Sequence, residues 1–109
     1  MELSQDKVSA YKNEITNMKQ SMPEMTEAYH QFTGVCFREG ELDEKTKQLI
    51  ALGISLFANN ELCTLYHMQE ARSKGASEQA IMEAVAVASA ASAGHAMAQG
   101  LMRVQPNLH

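Results

Sequence analysis

Apolar residues along this chain recur every three to four positions, and no stretch alternates long enough with the period of two that marks a strand. Val8, Tyr11, Ile15 and Met18 keep helical spacing and predict a first helix of about five turns. Ser21-Met22-Pro23 reads as the start of a second, because proline is tolerated in a first turn and Glu24 complements the helix dipole there. Its apolar stripe is Met25, Ala28, Tyr29, Phe32, Val35 and Cys36, and Gly40 is its predicted end. Asp43 is a good N-cap for a third helix, whose residues 49–57 are apolar almost all round and are therefore expected to be buried on every side. Asn59-Asn60-Glu61 breaks the chain before a fourth helix that ends at Gly75, a residue suited to the left-handed position after a helix. Ser77 caps a fifth, with the stripe Ile81, Ala84, Val85, Ala88 and Ala91. Gly94 is expected to interrupt it, leaving a last short helix to about residue 104. The pattern predicts an all-α, single-domain bundle of five to six helices spanning residues 1–109.

Composition changes one thing in this picture. The 109 residues are 45% hydrophobic but only 6% aromatic, with 8 Met and no Trp, and residues 80–98 are dominated by Ala, Ser and Gly. Such side chains bury little area or specify packing loosely, so a monomer built on them would be marginal. The small-residue stretch suits a close helix crossing, either within the chain or across a subunit boundary, and a homo-oligomer is expected. Charge narrows the partners: 9 Lys+Arg against 13 Asp+Glu give −4, with no basic footprint for nucleic acid or anionic lipid. The mixed polar N-terminus lacks a signal-peptide core. No apolar run is expected to reach the roughly 18 residues of a membrane span. Two cysteines make no disulfide framework. A cytoplasmic protein with reduced thiols, acting on a small molecule without nucleic acid or membrane, is the expectation.

The chemistry concentrates in the fourth helix. Cys63 and His67 stand four residues apart, so their side chains share a face. With Asn60 as N-cap, Cys63 falls in the first turn, where the helix dipole and a nearby imidazole both favour thiolate. His67 can then give or take a proton. The alternative from spacing alone is a packed cysteine beside a hydrogen-bonded histidine.

The run from Leu42 through Gln48 to Leu52, then Cys63-x-x-x-His67-x-x-x-Ala71-x-x-x-Gly75-Ala76-Ser77, then Ile81-Met82-Glu83-Ala84, resembles the carboxymuconolactone decarboxylase family. That family includes the alkylhydroperoxidase D-like proteins, and the resemblance covers about residues 23–100. It implies an all-helical fold assembled as rings, often trimers or hexamers. The redox members carry Cys-x-x-Cys-x-x-x-His and a relay glutamate one helix earlier. Here Cys63 and His67 match, Asn60 stands at the first cysteine, and Gln48 stands at the glutamate. A dithiol cycle within the motif is therefore impossible. A single-thiol cycle at Cys63 is open, with sulfenic acid resolved by another thiol.

Several other residues enter as candidates. Cys36 is a candidate resolving thiol, although its place on an apolar stripe favours packing. His95, next to Gly94, falls on the continuation of the fifth helix's stripe and is a candidate to face the same cavity as Cys63. Glu27-x-x-His30 is half of a di-iron pattern, and Cys63, His67 and His95 would give three zinc ligands. Neither set is complete, so no metal or other cofactor is expected. His30 is read as a solvated side chain. The expected function is a thiol-dependent, peroxidase-like oxidoreductase with Cys63 as nucleophile, His67 tuning it, and Gln48 and Asn60 as polar support. The alternatives are a decarboxylase-type lyase, disfavoured by the few basic residues near the motif, and a catalytically degenerate ligand-binding oligomer.

Overall fold

The computed structural model describes residues 4–108, all of them helix or short connection. Helix α1 spans Ser4–Ser21, α2 Pro23–Phe37, α3 Glu44–Phe57, α4 Glu61–Ser73 and α5 Glu78–Gln99. A π-helical turn, Gly100–Val104, and a 3₁₀ turn, Gln105–Asn107, carry α5 onward.

The helix boundaries follow side-chain chemistry. Asp43 accepts from the Thr46 N–H at 2.7 Å, Asn60 from Cys63 N–H at 2.9 Å and Ser77 from Ala80 N–H at 3.0 Å. Each cap satisfies an N–H that the first turn leaves without a carbonyl. Gly75 takes φ +98 just after α4, a conformation that L side chains rarely adopt. Helix α2 stops at Phe37 rather than at Gly40, because Arg38 turns extended.

Helix α3 is the hub. It packs antiparallel to α4, with the Lys74–Glu44 pair at 2.9 Å joining their far ends, and it carries α5 on another side. Leu52, Ala71, Ala76 and Ile81 form the buried core, with Leu49, Met68 and Ala84 against it. Helices α1 and α2 pair with each other, and α1 also lies along α4.

Three expectations fail here. Residues 49–57 are not buried all round: Ile54 is 65% and Phe57 60% exposed, because no described residue covers that face of α3. The α2 stripe is likewise not core, since Phe32, Val35 and Cys36 are exposed. Gly94 does not interrupt α5. A glycine costs only about 1 kcal/mol in a helix interior, and the flanking alanines are the strongest helix formers. A fourth point concerns length. The continuous run Glu78–Asn107 is long and apolar enough, by composition alone, to cross a membrane. Counting consecutive apolar residues misses this because Ser, Gly and Gln are interspersed. The core helices of soluble proteins pass the same test.

Candidate functional site

Four helices converge on a cavity of about 430 Å³ around Cys63 and His67. Helix α4 supplies Cys63, Tyr66 and His67, and α3 supplies Gln48. From α2 come Tyr29, His30, Thr33, Gly34 and Phe37, and from α1 come Tyr11, Lys12 and Ile15.

The start of α4 is built around Asn60. Asn59 adopts φ 57, which asparagine tolerates better than most residues, and turns the chain into the cap. The Asn60 side chain then accepts from the backbone N–H of Cys63 itself, and its carbonyl accepts from Thr64 Oγ1 at 2.7 Å. Cys63 is thus held at the third position of the helix, half-buried, with His67 one turn later on the same face.

His67 is gripped on three sides. Its Nδ1 lies 2.7 Å from Gln48 Oε1, on a glutamine that is 8% exposed. Phe37 stacks on the ring with centroids 5.6 Å apart and planes 13° from parallel, and Tyr66 meets it edge-on at 5.0 Å. An amide oxygen only accepts, so Nδ1 carries the proton and Nε2 of the neutral ring keeps its lone pair. Burial pushes the imidazole below its ordinary range, with the charge of Glu70 acting the other way.

That direction sets a pH dependence. Protonating His67 costs more in the folded chain than in the unfolded one, so the unfolded state binds more protons as pH falls. The group leaves stability intact above the unfolded imidazole value of about 6.5 and lowers it as pH drops through that value towards the depressed folded one. Urea midpoints at about pH 7.5 and about pH 5.5 are expected to separate more in the wild type than in His67→Gln. Equal separation would remove His67 as the cause.

The site's other groups were not legible as such. All three tyrosines of the chain, Tyr11, Tyr29 and Tyr66, line this cavity. Burial, then Tyr29 and Cys63, raise Tyr11. Burial, then the charge and hydrogen bond of Glu70, raise Tyr66. Both are neutral hydroxyl donors at neutral pH. Tyr11 and Tyr29 read as stripe residues in the sequence, although a tyrosine turned inward calls for a polar partner, and that was the available signal. Lys12 holds its ammonium 5.5 Å from the Tyr66 ring centroid, a cation–π contact. His30, read as solvated, is exposed yet lines this cavity. Basic side chains thus reach the motif from helices distant in sequence.

His95 does not join Cys63. It lies in a second, apolar groove of about 590 Å³ between α3 and α5, edge-on to Phe57 at 5.6 Å. Cys63, His67 and His95 therefore form no ligand cluster, and among the described residues no three His, Cys, Asp or Glu side chains are grouped to hold a metal. Cys36 is exposed and does not line the Cys63 cavity.

Comparisons with known proteins agree with the all-helical fold. A curated relative from Paracoccus denitrificans, "Uncharacterized protein 4 in cox locus", is 35% identical over 97 residues, 89% of this chain and 85% of its own. A crystal structure of a protein from Methanobacterium thermoautotrophicum superposes with a TM-score of 0.70 at 33% identity, covering 78% of this chain and 92% of that one. Residues 23–104 match the carboxymuconolactone decarboxylase family, and they hold Cys63, His67, Gln48 and Asn60. The chain belongs to the carboxymuconolactone decarboxylase family.

Proposed function

We propose that the protein is a thiol-dependent peroxidase in which Cys63 reduces an organic hydroperoxide. The observation that carries this reading is the hydrogen bond between His67 Nδ1 and Gln48 Oε1, which orients a ring one helical turn from Cys63 in one cavity. The Nε2 lone pair accepts the thiol proton, and the sulfur attacks the terminal peroxide oxygen. The O–O bond breaks, the protonated imidazole returns its proton to the departing alkoxide, and the products are an alcohol and Cys63 sulfenic acid. One external thiol displaces water to give a mixed disulfide. A second releases Cys63 as thiol and leaves as the external disulfide. No second cysteine lines the cavity, so resolution falls to the external thiol rather than to Cys36.

A second reading, a ligand-binding member without turnover, is favoured by Gln48. An amide fixes a tautomer but relays no proton. The two separate on one experiment. Brief exposure to hydroperoxide in the presence of dimedone is expected to label Cys63 and spare Cys36, read by peptide mass spectrometry. Absence of label at Cys63, with the protein folded, supports the ligand-binding reading and removes the peroxidase.

We further place the chain in the cytoplasm as a homo-oligomer, a trimer or hexamer. Its accessible surface is 8079 Å², against about 6,000 Å² for a compact monomer of this mass. The radius of gyration, 17.5 Å, exceeds the roughly 13 Å of a compact chain of about 100 residues.

A further inference from the structure

We propose that Lys12 makes the cavity selective for a small, flat organic acid as one of the two co-substrates. This deepens the peroxidase reading and rests on it only for which cavity the substrate occupies. The family match begins at residue 23, after α1 has ended. Cys63 and His67 lie within the matched residues, and Lys12, whose ammonium sits over the Tyr66 ring, lies before them on α1.

The charge pattern is one-sided. None of the residues lining the cavity is Asp or Glu, while Lys12 and His30 both line it. Among the described residues no carboxylate lies within ion-pair distance of Lys12, whereas Lys7 on the same helix is paired with Glu61. Glu70 acts on Tyr66 and His67 but lies outside the lining. The Tyr66 hydroxyl is engaged by Glu70, which leaves the Lys12 ammonium, held over the Tyr66 ring, and the Tyr11 and Tyr29 hydroxyls in the same lining as donors for a carboxylate. The whole chain carries −4, so its long-range field repels anions, and recognition must come from a local cation.

Shape adds to charge. Tyr11, Tyr29, Phe37 and Tyr66 make the lining rich in aromatic rings, and about 430 Å³ suits a small aromatic acid.

Binding tests this without any turnover. The chain has no Trp and all its tyrosines line the cavity, so its intrinsic fluorescence reports directly on occupancy. Phenylacetate is expected to bind about tenfold more tightly than its uncharged isostere phenylacetamide, a preference lost in Lys12→Met and kept in Lys12→Arg. Lys12 is exposed, so neither substitution disturbs the core. Equal binding of the two probes, binding of neither, or a preference that survives Lys12→Met would overturn the proposal. None of these results depends on the reactivity of Cys63, so the proposal and the peroxidase reading fail separately. Turnover then identifies which co-substrate carries the acid. With an uncharged thiol, Lys12→Met is expected to raise KM about tenfold for a carboxylated aryl hydroperoxide and leave it unchanged for the uncharged one. A rise confined to a carboxylated thiol assigns the acid to the reductant instead.

Discussion

A chain with Cys63→Ser in a Cys36→Ser background is expected to lose hydroperoxide turnover by on the order of a thousandfold or more, while the Cys36→Ser parent keeps its rate. The size follows from what the step requires. A serine hydroxyl is not ionised at neutral pH and cannot carry the oxidised state that a sulfenic acid provides, so no residual cycle passes through the same atom. Serine differs from cysteine by one atom, and Cys63 is half-buried rather than packed in the core, so folding is expected to persist. Circular dichroism and the tyrosine fluorescence of the cavity check this. Activity that survives Cys63→Ser would move the chemistry elsewhere. Activity lost in the Cys36→Ser parent would make Cys36 the resolving thiol, despite its exposure outside the cavity.

The same geometry explains what Gln48 changes. A glutamate in that position would place a negative charge on Nδ1–H, raise the imidazole and favour the charged ring. Gln48 keeps the hydrogen bond without the charge, and burial then holds His67 neutral. Asn60 likewise replaces a potential thiol with the residue that caps α4 through Cys63's own N–H. Both departures keep a polar side chain beside His67 and at the start of α4 and remove a partner for proton or disulfide exchange. On the proposed peroxidase reading, the cycle would use one cysteine and draw its reductant from solution.

What the sequence made legible is local. Asp43, Asn60, Ser77 and Gly75 mark helix ends because their side chains or backbone freedom act within one turn. Cys63 and His67 are legible for the same reason, being one turn apart on one helix. What periodicity could not tell is what covers each apolar stripe. The stripes of α1 and α2 place Tyr11 and Tyr29 in the cavity, and much of the α2 stripe stays exposed, with Phe32 67% open. His95 followed the α5 stripe correctly, but that stripe borders the α3–α5 groove rather than the Cys63 cavity. Assigning a stripe to one of two cavities depends on contacts between helices far apart in sequence. The Lys12–Tyr66 contact is such a case, and no local rule reaches it.

The second large effect concerns the exposed face itself. Val87 is 68% exposed and lines the apolar groove with Ile50, Ile54 and Phe57, while Met97, Leu101 and Met102 extend apolar surface along the same run. The surface in excess of a compact monomer is about 2,000 Å² per chain, above the roughly 800 Å² that each partner contributes to a standard interface. Wild-type protein at low micromolar concentration is therefore expected to sediment as a multiple of 12.0 kDa. Val87→Glu is expected to sediment as the monomer, because a carboxylate buried on that face costs several kcal/mol and no Lys or Arg lines the groove to pair with it. Since Val87 is exposed in the isolated chain, the substitution leaves the core of Leu52, Ala71, Ala76 and Ile81 intact. A monomeric wild type, or an assembly indifferent to Val87→Glu, would refute this face as the interface. The Cys63 cavity shares no lining residue with the groove, so a dissociated variant still labelled at Cys63 by dimedone would show that the chemistry is complete within one chain. Loss of that label would show that the neighbouring subunit helps to hold the site.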